Sequence, residues 1–105
     1  MSDAATDERA AFQVEGERWA PAGALTMDSV ATVLAASAET PLPASGIIDL
    51  QHIDAVDSAG VALLLAWKRR AAAEAKPVAF AHLPASLDSL ARLYDVEELL
   101  GVAAI

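Results

Sequence analysis

One stretch constrains this chain more than any other. After Gly46 comes IIDL, a short run rich in β-branched residues, of the kind expected for a strand buried on both faces. QHIDAVDSAG follows, and then VALLLAWKRRAAAEAK, with high Ala and Leu content, no Gly or Pro inside and basic residues late. That segment is helical by every local criterion, with its start at Asp57 or Ser58. Pro77 ends it and VAFA reads as the next strand. A strand, helix, strand succession of this length implies parallel strands joined by a right-handed crossover. The chain is therefore an α/β domain with IIDL at the centre of its sheet.

The flanks add smaller elements. Met1 to about Ala11 is polar and small and reads as a flexible lead-in, with the domain proper over residues 12–105. Phe12 to Glu15 alternates apolar and polar, Gly16 supplies a turn, and Arg18 to Ala22 is a second extended run, which together read as a β-hairpin. Pro21 lacks an N–H, so it places that strand at an edge or makes it irregular there. Thr26 can cap a helix beginning near Met27, with Val30, Val33 and Leu34 at helical spacing until TPLPASG stops it. Pro84 opens another helix, in which Leu87, Leu90, Leu93 and Tyr94 share a face. The tail, VEELLGVAAI, reads as a further short helix or coil.

Composition then excludes several classes of function. In 105 residues there are 7 Lys+Arg and 15 Asp+Glu, a net charge of −8. Nucleic-acid affinity comes mainly from clustered cations that release counterions, so a phosphate-backbone binder is not expected. The same charge opposes docking on anionic lipid, which makes any membrane contact indirect. Ala supplies 26 of the apolar residues, and Leu, Ile, Val and Phe together number 27, enough for one thin core and too few for a deep enclosed site. The longest apolar run, Gly60 to Trp67, is far short of a membrane span. MSDAATDERAAF lacks the basic-then-apolar order of an export signal, and the chain has no cysteine, hence no disulfide, thiol nucleophile or Cys-rich zinc site. A cytoplasmic location is the expectation.

The long helix holds an anomaly. At about 100° per residue, Val61, Leu64, Leu65 and Ala72 form one stripe, while Ala62, Leu63, Ala66 and Trp67 lie off it. Its first two turns are apolar nearly all round. A helix on a sheet needs one buried side, so the extra apolar residues touch something else. Either a neighbouring helix or the tail covers them, or they form a partner surface for which Trp67 is an anchor. Ser58 also has two readings: an N-cap for the first turn, or a short hydroxyl beside Ala59 and Gly60, open to recognition or phosphorylation.

At these residues a resemblance emerges. IIDLQHIDAVDSAGVALLL resembles the signature of STAS domains, in which a strand ends in Asp-Leu and a D-[ST]-x-G turn opens the long helix. The helix opening and the ending SLARLYDVEELLG resemble the MlaB-like branch, the STAS subunits of phospholipid-transporting ABC systems, over roughly residues 12–101. The resemblance implies a STAS-like fold, a small mixed sheet of about four strands flanked by about four helices. It implies no catalysis and no cofactor or metal, and binding to the transporter's ATPase subunit, hence a place at the inner membrane only through that complex. The family's Ser/Thr falls on Ser58, its turn on Asp57, Ala59 and Gly60, and its exposed helix face on Ala62, Leu63 and Ala66. Tyr94 is either a core-edge aromatic or borders that surface. The same apolar opening also offers a route to weak self-association when the partner is absent.

Two further roles compete. The same turn serves an anti-sigma-factor antagonist whose Ser58 is phosphorylated by a kinase-like anti-sigma factor. An enzyme would need His52 or His82 as base and Asp49, Asp54 and Asp57 as metal ligands, but their spacing fits no metal loop. A strand ending in Asp also brings a phosphoacceptor receiver to mind, yet an acidic pair after the first strand and a later Lys are missing.

Overall fold

The computed structural model describes residues 10–93. The chain runs β1 (Ala10–Ala11), β2 (Val14–Glu15), β3 (Arg18–Trp19), β4 (Ala22–Leu25), α1 (Val30–Ala38), β5 (Ile47–Asp49), β6 (Ile53–Val56), α2 (Ser58–Ala73), β7 (Ala79–Ala81) and α3 (Ala85–Leu93). Three of the strands are broken in the middle. β1 with β2, β3 with β4, and β5 with β6 each form one interrupted strand, so that four strands make up the sheet in two ladders, β1-β4-β6 and β2-β3-β5-β7. β1/β4 and β2/β3 are antiparallel, whereas β3/β5, β4/β6 and β5/β7 are parallel. The Ala20 N–H, donated to the Gln13 carbonyl at 2.8 Å, carries the hairpin across its break.

The mixed α/β fold agrees with expectation, and several details differ. The sheet begins at Ala10 rather than Phe12, since Ala10 and Ala11 pair with Gly23 and Ala22. The second hairpin strand continues to Leu25, and both of its segments have neighbours on two sides. Pro21 therefore breaks an interior strand instead of marking an edge, at a point where no ladder bond from its nitrogen is needed. α1 starts at Val30, not near Met27: the Ser29 hydroxyl donates to the Ala24 carbonyl at 2.6 Å and accepts the Thr26 N–H at 3.0 Å, holding Thr26 to Ser29 as a turn ahead of the helix. Three helices occur among the described residues. The tail in which a fourth was expected, with Tyr94, lies outside them, as do residues 1–9 of the lead-in.

α2 ends before its proline. Ala75 adopts φ 55°, and the N–H groups of Ala75 and Lys76 return to the carbonyls of Ala72 and Ala71, a left-handed closing turn usually given to glycine. A Cβ in that region is strained.

Burial on α2 is centred on Gly60, Leu64, Trp67 and Ala71, with Val61 and Leu63 beside them. α2 packs against both α1 and α3, so its buried arc is wide. Trp67, 1% exposed, lies edge-on to Trp19 at 5.4 Å, and Phe12 meets Trp19 edge-on at 4.9 Å. Both indole N–H groups are satisfied, Trp67 by the Ser37 hydroxyl at 2.9 Å and Trp19 by the Pro41 carbonyl at 3.1 Å. Arg70 donates to the carbonyls of Ser37 and Thr40, closing the C-terminal end of α1 while lying over the Trp19 ring. On α3, Leu87 and Ala91 are buried and Leu93 is 74% exposed, so the inward face excludes the last leucine.

Two outcomes follow from this packing. Trp67→Ala removes a buried indole and its hydrogen bond, and chemical denaturation should show a loss of about 3–5 kcal/mol. Ala75→Gly relieves the left-handed turn and should raise the unfolding free energy by about 1 kcal/mol in the same assay.

Candidate functional site

The loops that follow β4 and β6 meet at the start of α2. Asp57, in extended backbone, is the N-cap: its Oδ1 accepts the N–H groups of Ala59 at 2.8 Å and Gly60 at 3.4 Å. Its Oδ2 accepts the Met27 N–H at 2.9 Å, and its own N–H donates to the Leu25 carbonyl at 3.2 Å. One carboxylate thus ties the turn before α1 to the start of α2. Gly60 has no room for a side chain, because a Cβ there would stand 2.5 Å from the Leu25 carbonyl oxygen and 2.7 Å from Val56 Cγ1. The glycine lets the first turn settle on the ends of β4 and β6.

These contacts determine what faces outward. Capping falls to Asp57, so the Ser58 hydroxyl is not needed for it and the side chain is exposed. Ala62 is exposed, while Ala59, Leu65 and Ala66 are half-buried. Ser58, Ala62, Leu65, Ala66 and Arg69 follow one another at helical spacing along one open face. Met27, beside the cap, is 79% exposed.

Two residues expected on that face are not there. Leu63 is 2% exposed and Trp67 1%: both belong to the core, where Trp67 meets Phe12, Trp19 and Ser37 of α1. The excess of apolar residues in the first turns has a divided explanation: Leu63 and Trp67 serve the core, and the alanines and Leu65 make the open face. The sequence stripe that included Leu65 and Ala72 was offset, since Ala72 is exposed and Leu65 only half-buried.

The carboxylates and histidines considered for catalysis are dispersed or engaged elsewhere. Asp54 and His52 are exposed, and among the described residues no group of three His, Asp or Glu side chains converges in a way that could hold a metal ion. Asp49 is 1% exposed on the sheet face opposite Ile48. Its oxygens accept from Arg18 at 3.0 Å, from the Gln51 backbone N–H at 3.0 Å and Gln51 Nε2 at 2.9 Å, and meet His82 Nδ1 at 2.9 Å. Burial works to raise the Asp49 pKa, but the Gln51 N–H and the hydrogen bonds to His82 and Arg18 outweigh it and hold the carboxyl below its ordinary value. With Arg18 on β3, Asp49 on β5 and His82 just after β7, the cluster clamps three strands together. His82 sits at φ 58°, a conformation uncommon outside glycine, which the Asp49 contact helps to hold. Sequence reasoning missed this clamp because nothing local distinguishes Arg18 as a partner for a residue 31 positions away.

A depressed folded-state pKa stabilises the fold when the carboxylate is ionised. The contribution of Asp49 should be fully present above about pH 5 and lost as the pH falls from there through its lowered value. Urea titrations of wild type and Asp49→Asn should show the variant less stable at pH 7, with the gap narrowing steadily toward pH 3.

Comparison with known proteins gives three findings. The family described as Mlab, STAS domain, matches residues 9–101. The solved structure of the anti-sigma factor antagonist SpoIIAA in its unphosphorylated form superposes with a TM-score of 0.64 at 20% identity, covering 90% of this chain and 89% of that one. No curated protein matches by sequence.

Proposed function

This chain belongs to the MlaB STAS-domain family, and from that membership we propose that it is a non-catalytic binding subunit which docks on the ATPase of a phospholipid-transporting ABC system. The observation that carries the reading is the open start of α2. Asp57 and Gly60 fix the first turn against β4 and β6, so Ser58 and Ala62 stand outward, with the half-buried Ala59 and Ala66 beside them. Small side chains allow a partner's backbone to come close, and a hydroxyl at the centre of the contact supplies a hydrogen bond. A protein that binds one conformation of an ATPase better than another shifts its population by that difference in affinity, without chemistry of its own. No helix among the described residues is long and apolar enough to cross a membrane, which accords with attachment through a partner. In this reading the protein is cytoplasmic and reaches the inner membrane through the transporter.

Ser58→Asp places a charge on that surface, beside the Asp57 carboxylate, without touching the core. Co-elution with the purified ATPase subunit on size exclusion should be lost while circular dichroism is unchanged. A complex that forms as well as the wild type's overturns the placement.

A second reading draws on Ser58 itself. Its hydroxyl is accessible at a helix start and is not consumed by capping, a suitable acceptor for a kinase-like anti-sigma factor. Phosphate there would add nearly two negative charges beside Asp57 and repel an acidic or apolar partner. Intact-mass measurement of protein isolated from its own cells separates the two: a stoichiometric phosphate on Ser58 favours partner switching, and a stable ATPase complex of unmodified protein favours transport.

A further inference from the structure

The open face of α2 changes character along its length. At the start are Ser58 and the small residues; about 16 Å further on, at 1.5 Å per residue, stands Arg69. Among the described residues Arg18, Arg70 and Arg92 each pair with a carboxylate, and Arg69 pairs with none. It is exposed, at the rim of a shallow, open hollow of about 270 Å³ on the surface of α2, lined by Leu65, Lys68, Arg69 and Ala72 of that one helix. Leu65 and Ala72 give the hollow an apolar floor. Lys68 is held at its edge by donating to the Val78 carbonyl, whereas the exposed Arg69 makes no side-chain hydrogen bond or ion pair to a described residue. In a chain of net charge −8, Arg69 stands exposed beside an apolar floor and pairs with no carboxylate among the described residues.

We propose that this hollow receives an acidic side chain from a helix of the docked partner, its carboxylate pairing with Arg69 and an adjacent apolar side chain lying on Leu65 and Ala72. The inference rests on the docking reading above and adds the chemistry of the partner. The long-range field of this protein repels acids, so the pair acts at contact distance, where a guanidinium binds a carboxylate through two parallel hydrogen bonds. Its role is to set register: a helix that lies across Ser58 and Ala62 reaches Arg69 in one orientation along α2 and misses it in the reverse one.

The experiment titrates the purified transporter ATPase subunit against wild type, Arg69→Glu, Arg69→Lys and Ser58→Asp, each first checked for an unchanged circular dichroism spectrum. Arg69→Glu should weaken binding by about tenfold or more, Arg69→Lys by less, and the salt dependence of the wild type should flatten in Arg69→Glu. A single Asp or Glu→Arg reversal on the ATPase should then restore the affinity of Arg69→Glu. If Arg69→Glu binds like wild type, or more tightly, while Ser58→Asp does not bind, the acidic pairing is overturned and the docking reading stands. If both variants bind like wild type, the docking reading falls with it.

Discussion

The absence of a Cβ at Gly60 is the constraint on which the site depends. Any side chain there would collide with the Leu25 carbonyl and Val56, so the first turn of α2 could not rest on the strand ends. Because it does rest there, Asp57 is within reach both of the first-turn N–H groups and of the Met27 N–H, and one carboxylate caps a helix while fixing a neighbouring loop. A cap of this kind contributes about 1 kcal/mol. Its larger effect is positional, since a serine placed after the capping residue is released to face outward.

The rest of the domain supplies rigidity to that turn. Trp67, Trp19 and Phe12 form an edge-to-face aromatic seam between α2 and the hairpin, and Ser37 joins it to α1. Arg70 covers the same seam while occupying carbonyls at the end of α1. On the other face of the sheet, Asp49 draws Arg18 and His82 inward and ties β3, β5 and β7. A thin core with many alanines has few large contacts, so these polar and aromatic contacts carry a disproportionate share of its specificity. The buried Asp49 carboxylate is engaged by three residues, and the exposed face of α2 presents Ser58, small side chains and Arg69.

That division separates two kinds of apolar residue which look alike in the sequence. Leu63 and Trp67 are large and buried; Ala62 and Ala66 are small and face outward in whole or in part. A surface made of alanine and serine is smooth, and it would give up little side-chain entropy on association. A surface made of Leu and Trp would have to be hidden in the free molecule.

What the sequence determined by itself is the central unit. IIDL lies between two parallel neighbours, the helix opens at Asp57 and Ser58, VAFA returns to the sheet, and Asp57, Ser58 and Gly60 meet in one turn, because strand propensity, capping and the turn glycine are local properties. Tertiary structure alone decided the rest. Whether Leu63 or Ala62 faces out depends on α1 and α3 packing on both flanks of α2, and a helical wheel cannot place the centre of an arc that wide. The choice of Asp57 over Ser58 as cap depends on Met27 and Leu25, more than 30 residues earlier in the case of Leu25, and the partner of Asp49 lies as far away on β3. Contacts between residues so distant along the chain are set by how the layers pack, and no local pattern encodes them.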